Sequence, residues 1–170
     1  MQHHGLTFVL WAHHLEGSAA AIFVTELRRV GLPVKVVGLH RQPVAGSFGL
    51  GLLPDLSLEE AVSLFPRVRC LILPGPLDRL AQLAQHPRLG ELLDAVEGQG
   101  ILVTAPPPHG AGESEAEGRP LFATVLTYPN AEGLLAFARE LAGMLGGEGE
   151  VGGGVGSTTT TTTAAAAVGA

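Results

Sequence analysis

Cysteine is nearly missing from this sequence: Cys70 is the single one in 170 residues. One thiol permits neither an intramolecular disulfide nor a cysteine-rich zinc cluster, and a reducing, cytoplasmic setting is the expectation that follows. Basic residues are also few. Ten Lys and Arg face sixteen Asp and Glu, for a formal net charge of −6. Apart from Arg28-Arg29 and the Arg67/Arg69 pair they are scattered, so no basic stripe exists to collect phosphates and nucleic acid is excluded as a partner. Long apolar runs are lacking too. None approaches the ~20 residues that span a bilayer, which excludes a membrane-spanning helix. The run LTFVLWA followed by GSAAA imitates a secretory signal, yet no Lys or Arg precedes it, and His13, His14 and Glu16 interrupt it before the alanines. It reads as a first β-strand.

What is present is an interior. Apolar residues make up 46% of the chain and charged residues only 15%, enough for one globular domain that buries roughly 68 to 70% of its unfolded surface. The pattern predicts a strand at 6–12 and a helix from Ser18 to Val30, with Phe23, Leu27 and Val30 on one face. Gly31 and Pro33 then stop the helix. A second strand, VKVVGL, covers 34–39. The Gly- and Pro-rich excursion 40–56 contains SFGLGLLP, which can supply a short extra strand. Ser57 and Glu60 form an S-x-x-E capping box for a helix over 58–65 that Pro66 ends. RCLILPG, 69–75, is a third strand. Helical pieces follow at 77–85 and 88–97, separated by His86-Pro87. ILVTA is a fourth strand and LFATVLT, 121–127, a fifth. Asn130 caps a last helix to Leu145, with Leu134, Ala138, Leu141 and Leu145 at helical spacing.

Strands apolar on both faces, alternating with helices, predict a three-layer α/β/α sandwich with a mostly parallel, flavodoxin-like sheet. The domain is expected to occupy residues 1–145. Residues 146–170 form a Gly/Thr/Ala tail of low complexity that cannot offset its ordering entropy by burial and offers a possible contact for a protein partner. In such sheets ligands bind beyond the carboxyl ends of the strands, where the strand order reverses. For the order 2-1-3-4-5, three segments meet there: His13 to Glu16 after strand one, Pro74-Gly75-Pro76 after strand three, and Pro106 to His109 after strand four.

The run ELRRVGLPVKVVGL, the later LLPDLSLEEA, the strand-turn CLILPGP and the strand after Gly100 resemble, in order and spacing, the ThiJ/PfpI family of the glutamine amidotransferase-like superfamily. The resemblance covers about residues 5 to 106 and resumes for the last strand and helix. It implies a flavodoxin-type sandwich and a homodimer, in a family that includes deglycases or glyoxalases, chaperone-like stress proteins and peptidases. It also implies chemistry by a cysteine at the turn after the fourth strand, often followed by histidine, together with an acidic residue after strand one and the amides of a P-G-G turn.

Carried over position by position, the scaffold remains and the chemistry does not. The nucleophile position falls on Pro106, which has neither a thiol nor a backbone N–H, and the next position is Pro107. The acidic position falls on Ala19, with Glu16 three residues earlier. The second glycine of P-G-G is Pro76, which removes an amide that could stabilise an oxyanion. No cofactor is expected, because Gly46, Gly49 and Gly51 do not lie between a strand and a helix as a phosphate cradle requires.

Three readings follow. In the first, the chain is a catalytically inactive ThiJ/PfpI-like binding or assembly module, with His13, His14, Glu16, Gly75 and His109 as ligand-binding candidates. In the second, it is a hydrolase or a glyoxalase/deglycase-like enzyme on a small carbonyl or amide substrate. Glu16 with His13, His14 or His109 would then replace the cysteine, and His13, Glu16 and His109 are the only set that could recruit a metal. The bland counterpart for these residues is a polar finish to strands at the wet edge of a sheet. In the third, the chain is a structural subunit that docks through its tail. Cys70 lies an element's length from the site and is expected to be a core thiol.

Overall fold

A computed structural model of the chain describes residues 5–107 and 122–147. Its main sheet has six strands, all paired parallel: β1 (Leu6–Trp11), β2 (Val34–Gly38), β5 (Leu56–Ser57), β6 (Val68–Pro76), β7 (Ile101–Ala105) and β8 (Thr124–Thr127). The order is β5-β2-β1-β6-β7-β8, so the five strands expected from the pattern lie as 2-1-3-4-5 and the two-residue β5 extends the β2 edge. All six residues of β1 are buried, as a central strand covered on both faces requires.

One face carries α1 (Gly17–Arg29) packed on α5 (Ala131–Gly147). Phe23 meets Phe137 edge to face at 6.2 Å, and Glu26 accepts hydrogen bonds from Arg29 on its own helix and from Arg139 on α5. The opposite face carries α2 (Leu58–Ala61), a 3-10 turn (Val62–Arg67) and α4 (Pro87–Val96), while α3 (Leu77–Leu83) leads into α4. Ser57 and Glu60 make the reciprocal capping box at the start of α2. Arg88 on α4 pairs with Glu59 on α2.

Several boundaries differ from the sequence reading, each for a local reason. The helix expected over 58–65 is α-helical for four residues only, and Pro66 lies within the 3-10 turn instead of ending a helix. Tighter i→i+3 bonding tolerates a proline that an α-helix interior would not. Val30 is 51% exposed rather than core-facing, because the helix stops at Arg29 and Gly31 turns the chain at φ +83°. The last helix continues to Gly147, two residues past the expected domain limit. Within 40–56, β3 (Val44–Ala45) and β4 (Gly51–Leu52) pair antiparallel as a separate two-stranded hairpin. Most of the expected tail lies outside the described residues.

Candidate functional site

Three carboxyl ends meet where the strand order reverses. β1 ends at Trp11, and residues 12–16 turn back into α1. That turn, not a strand end, holds His13 and His14: both are exposed, their ring centroids 6.3 Å apart, so the opposite-face geometry expected of adjacent strand residues does not arise. His14 adopts φ +65°, a left-handed conformation uncommon for residues other than glycine. The Ser47 hydroxyl donates to the His14 carbonyl at 2.7 Å and the Ser47 amide to the Leu15 carbonyl at 2.9 Å, which fixes the turn from above.

Ser47 reaches there because the β3–β4 hairpin folds over the end of β1. The Trp11 indole N–H donates to the Val44 carbonyl at 3.0 Å, and Gly46 lies so close to the Leu15 carbonyl and the Trp11 ring that any β-carbon would collide. Nothing in the sequence signals this clamping role of Ser47.

The crevice between β1 and β6 is occupied by Leu15. Its side chain is fully buried, and a β-carbon added to Gly75 would stand 3.1 Å from Leu15 Cδ2. Gly75 is therefore a seat for Leu15. β6 runs through Pro74, Gly75 and Pro76, with Ile72 opposite Val103 but Pro76 opposite Ala105. Four residues on β6 thus advance against two on β7, a bulge where two prolines have no N–H to give the ladder.

Glu16 precedes α1 without capping it through its side chain. Its amide donates to the Pro74 carbonyl at 2.7 Å, which sets it at the end of β6, and its half-buried carboxylate accepts from the Tyr128 hydroxyl at 3.2 Å. Tyr128, 3% exposed, follows β8, and its amide donates to the Thr104 carbonyl of β7 at 2.9 Å. Burial, reinforced by the neighbouring Glu16 charge, pushes the phenol well above its ordinary range. The sequence reading missed Tyr128 because the switch-point rule drew attention to strands one, three and four. Its one signal was to be the only tyrosine, placed directly after a strand.

Of the positions the resemblance assigns to catalysis, Ala19 is buried inside α1, Pro76 is the last residue of β6, and Pro106 and Pro107 are exposed just past β7. The structure therefore brings Glu16 and Gly75 to one crevice with His13 and His14 on the turn beside it. His109 lies outside the described residues. Among the described residues no three His, Cys, Asp or Glu side chains converge where they could hold a metal ion. Cys70 is buried in β6, opposite Ile101 of β7, at the far end of the strand from the crevice. No helix among the described residues is long and apolar enough to cross a membrane.

Neither a protein-family model nor a curated protein matches the chain. Solved structures do. Drosophila melanogaster DJ-1beta is 29% identical over 59% of this chain and 54% of its own, with a TM-score of 0.52. The chain thus spans about half the length of that relative. Toxoplasma gondii DJ-1 in its oxidised form aligns over 85% of this chain and 97% of its own, at 16% identity and a TM-score of 0.58. The two-domain Anabaena variabilis protein with DJ-1/ThiJ/PfpI-like and ferritin-like domains aligns over 59% of this chain and 29% of its own, at 18% identity and a TM-score of 0.51. The last two likenesses are of fold. Crossover order and parallel strand pairing agree with these likenesses on one conclusion: the chain has the flavodoxin-like α/β sandwich fold of DJ-1/ThiJ/PfpI structures.

Proposed function

We propose that this chain is a catalytically inactive ThiJ/PfpI-like protein that serves as a binding or assembly module, as a homodimer in the cytoplasm. The observation that carries this reading is the state of the nucleophile turn. Pro106 and Pro107 follow β7 where the resemblance places a cysteine and its neighbour, and proline supplies neither a thiol nor an amide.

Two features add support. Leu15 fills the space over Gly75 that a small substrate would enter, and the acidic position is the buried Ala19. The Glu16 carboxylate is nearby, but it is engaged by Tyr128. Acyl or carbonyl chemistry needs a nucleophile, a base and oxyanion donors held together. Among the described residues this crevice offers a carboxylate without that company.

The test is turnover of methylglyoxal by the purified full chain. No turnover above the uncatalysed rate is expected. Turnover that disappears on His109→Ala would overturn the proposal in favour of an enzyme using histidine in place of cysteine. For the tail, truncation at Gly146 is expected to leave the assembly state unchanged; a change would favour docking through residues 147–170.

A further inference from the structure

Two histidines from separate segments meet beside α2 and α4, on elements that the crevice does not use. His40 follows β2 and is exposed; His86 is half-buried and is the residue from which α4 starts. Their ring centres lie 6.3 Å apart at an interplanar angle of 69°. Local sequence fixes the His86 end. Pro87 at the start of α4 holds His86 extended, at φ −78° and ψ 120°, and the His86 carbonyl accepts from the Leu89 amide at 3.0 Å. The imidazole does not cap the helix it precedes. Its Nδ1 is the one buried side-chain nitrogen or oxygen among the described residues without a hydrogen-bond partner. Buried polar atoms are nearly always partnered in folded chains, so an orphan of this kind marks a place for a water or an ion.

We propose that His40 and His86 together bind a late divalent transition-metal ion such as Zn²⁺, with water completing its coordination. Neutral imidazoles suit Zn²⁺, Cu²⁺ and Ni²⁺ and not the hard cations Mg²⁺ and Ca²⁺. Neither residue belongs to the set that the sequence offered for a metal, since no spacing motif joins them. Two imidazoles sharing a tetrahedral ion at about 2.0 to 2.1 Å have ring centres about 5 Å apart, so the pair must close by about 1 Å. His40 supplies that movement, because its ring is exposed and among the described residues engages only His86. Charge around the pair suits a cation. Glu59, Glu60 and Glu91 outnumber Arg41 and Arg88, with which they pair, by three to two. The Glu59 carboxyl is held below its ordinary range chiefly by the hydrogen bond from Arg88, and charge at His86 adds to this, so the carboxylate lies within electrostatic reach of the ion. Among the described residues no third His, Cys, Asp or Glu converges on the pair, which makes the ion exchangeable, unlike a structural zinc with four protein ligands.

Because His40 and His86 come together only in the folded chain, an ion on them stabilises that state. His3-His4 and His13-His14 are adjacent in sequence, so an ion finds those pairs in the unfolded chain as well. Thermal melts of the full chain with and without Zn²⁺ therefore single out the proposed site. The wild-type melting temperature is expected to rise by about 3 °C or more at saturating Zn²⁺ and to be unmoved by Mg²⁺. His40→Ala and His86→Ala should each abolish the rise, whereas the double variant His13→Ala/His14→Ala should keep it. The rise is read within each variant, so a lower starting melting temperature for His86→Ala does not obscure it. No rise in the wild type, an equal rise with Mg²⁺, a rise that either single variant retains, or one that the double variant loses would overturn the assignment.

Discussion

The Tyr128 phenol donates to the Glu16 carboxylate at 3.2 Å, joining the turn after β1 to the end of β8 across 112 residues of chain. Tyr128→Phe removes the donor and leaves a half-buried carboxylate that water can reach, so a loss of about 1 kcal/mol is expected in urea denaturation. A loss too small to measure would show that the pair is incidental.

The same phenol should not titrate while the chain is folded. Its folded value is raised above the unfolded one, so the associated stability is fully present below the ordinary tyrosine range and is lost as pH rises above it, where only the unfolded chain ionises. Since Tyr128 is the only tyrosine, absorbance at the phenolate band should rise only together with alkaline unfolding. Ionisation ahead of unfolding would contradict this.

Glu26 sets the behaviour on the acid side. Hydrogen bonds from Arg139 and then Arg29 hold its carboxyl below the ordinary range, so its contribution is present above the unfolded value and fades as pH falls through the lowered folded one. Glu26→Gln should flatten the acid limb of a stability–pH curve and leave its alkaline limb unchanged.

Leu15→Ala empties the seat over Gly75. Truncating a fully buried leucine costs about 2 to 5 kcal/mol, and the exposed turn around it favours the lower half because it can collapse. Guanidinium melts report the cost. A cost well under 1 kcal/mol would mean that Leu15 does not fill the crevice as described.

Restoring a thiol alone should not restore chemistry. Pro106→Cys returns the nucleophile position, but Ala19 supplies no acid and Pro76 no amide, so methylglyoxal turnover is expected to stay at the uncatalysed level. A clear gain in kcat/KM would show that Glu16 can take over the acid's work.

Much of the fold was legible because its signals are local and strong. β1 is wholly buried between two helical layers and reads as an apolar run interrupted only by Thr7, and the Ser57/Glu60 box and the Gly31 stop are fixed by residue types whose backbone geometry admits few alternatives. What sequence could not reveal was set by tertiary contact. Nothing local says that Ser47 bonds to His14, that Leu15 lies on Gly75, or that Tyr128 reaches Glu16, since each pair is separated by tens of residues. The site was located by topology, and its occupancy was decided by side chains that carry no motif.

The packing of α1 on α5 bears on how the chain is made. Phe23 and Glu26 emerge from the ribosome early, yet their partners Phe137 and Arg139 come more than a hundred residues later. During synthesis the apolar face of α1 must wait for the last described helix, so the nascent chain has a long interval in which that face is open to chaperones or to other nascent chains.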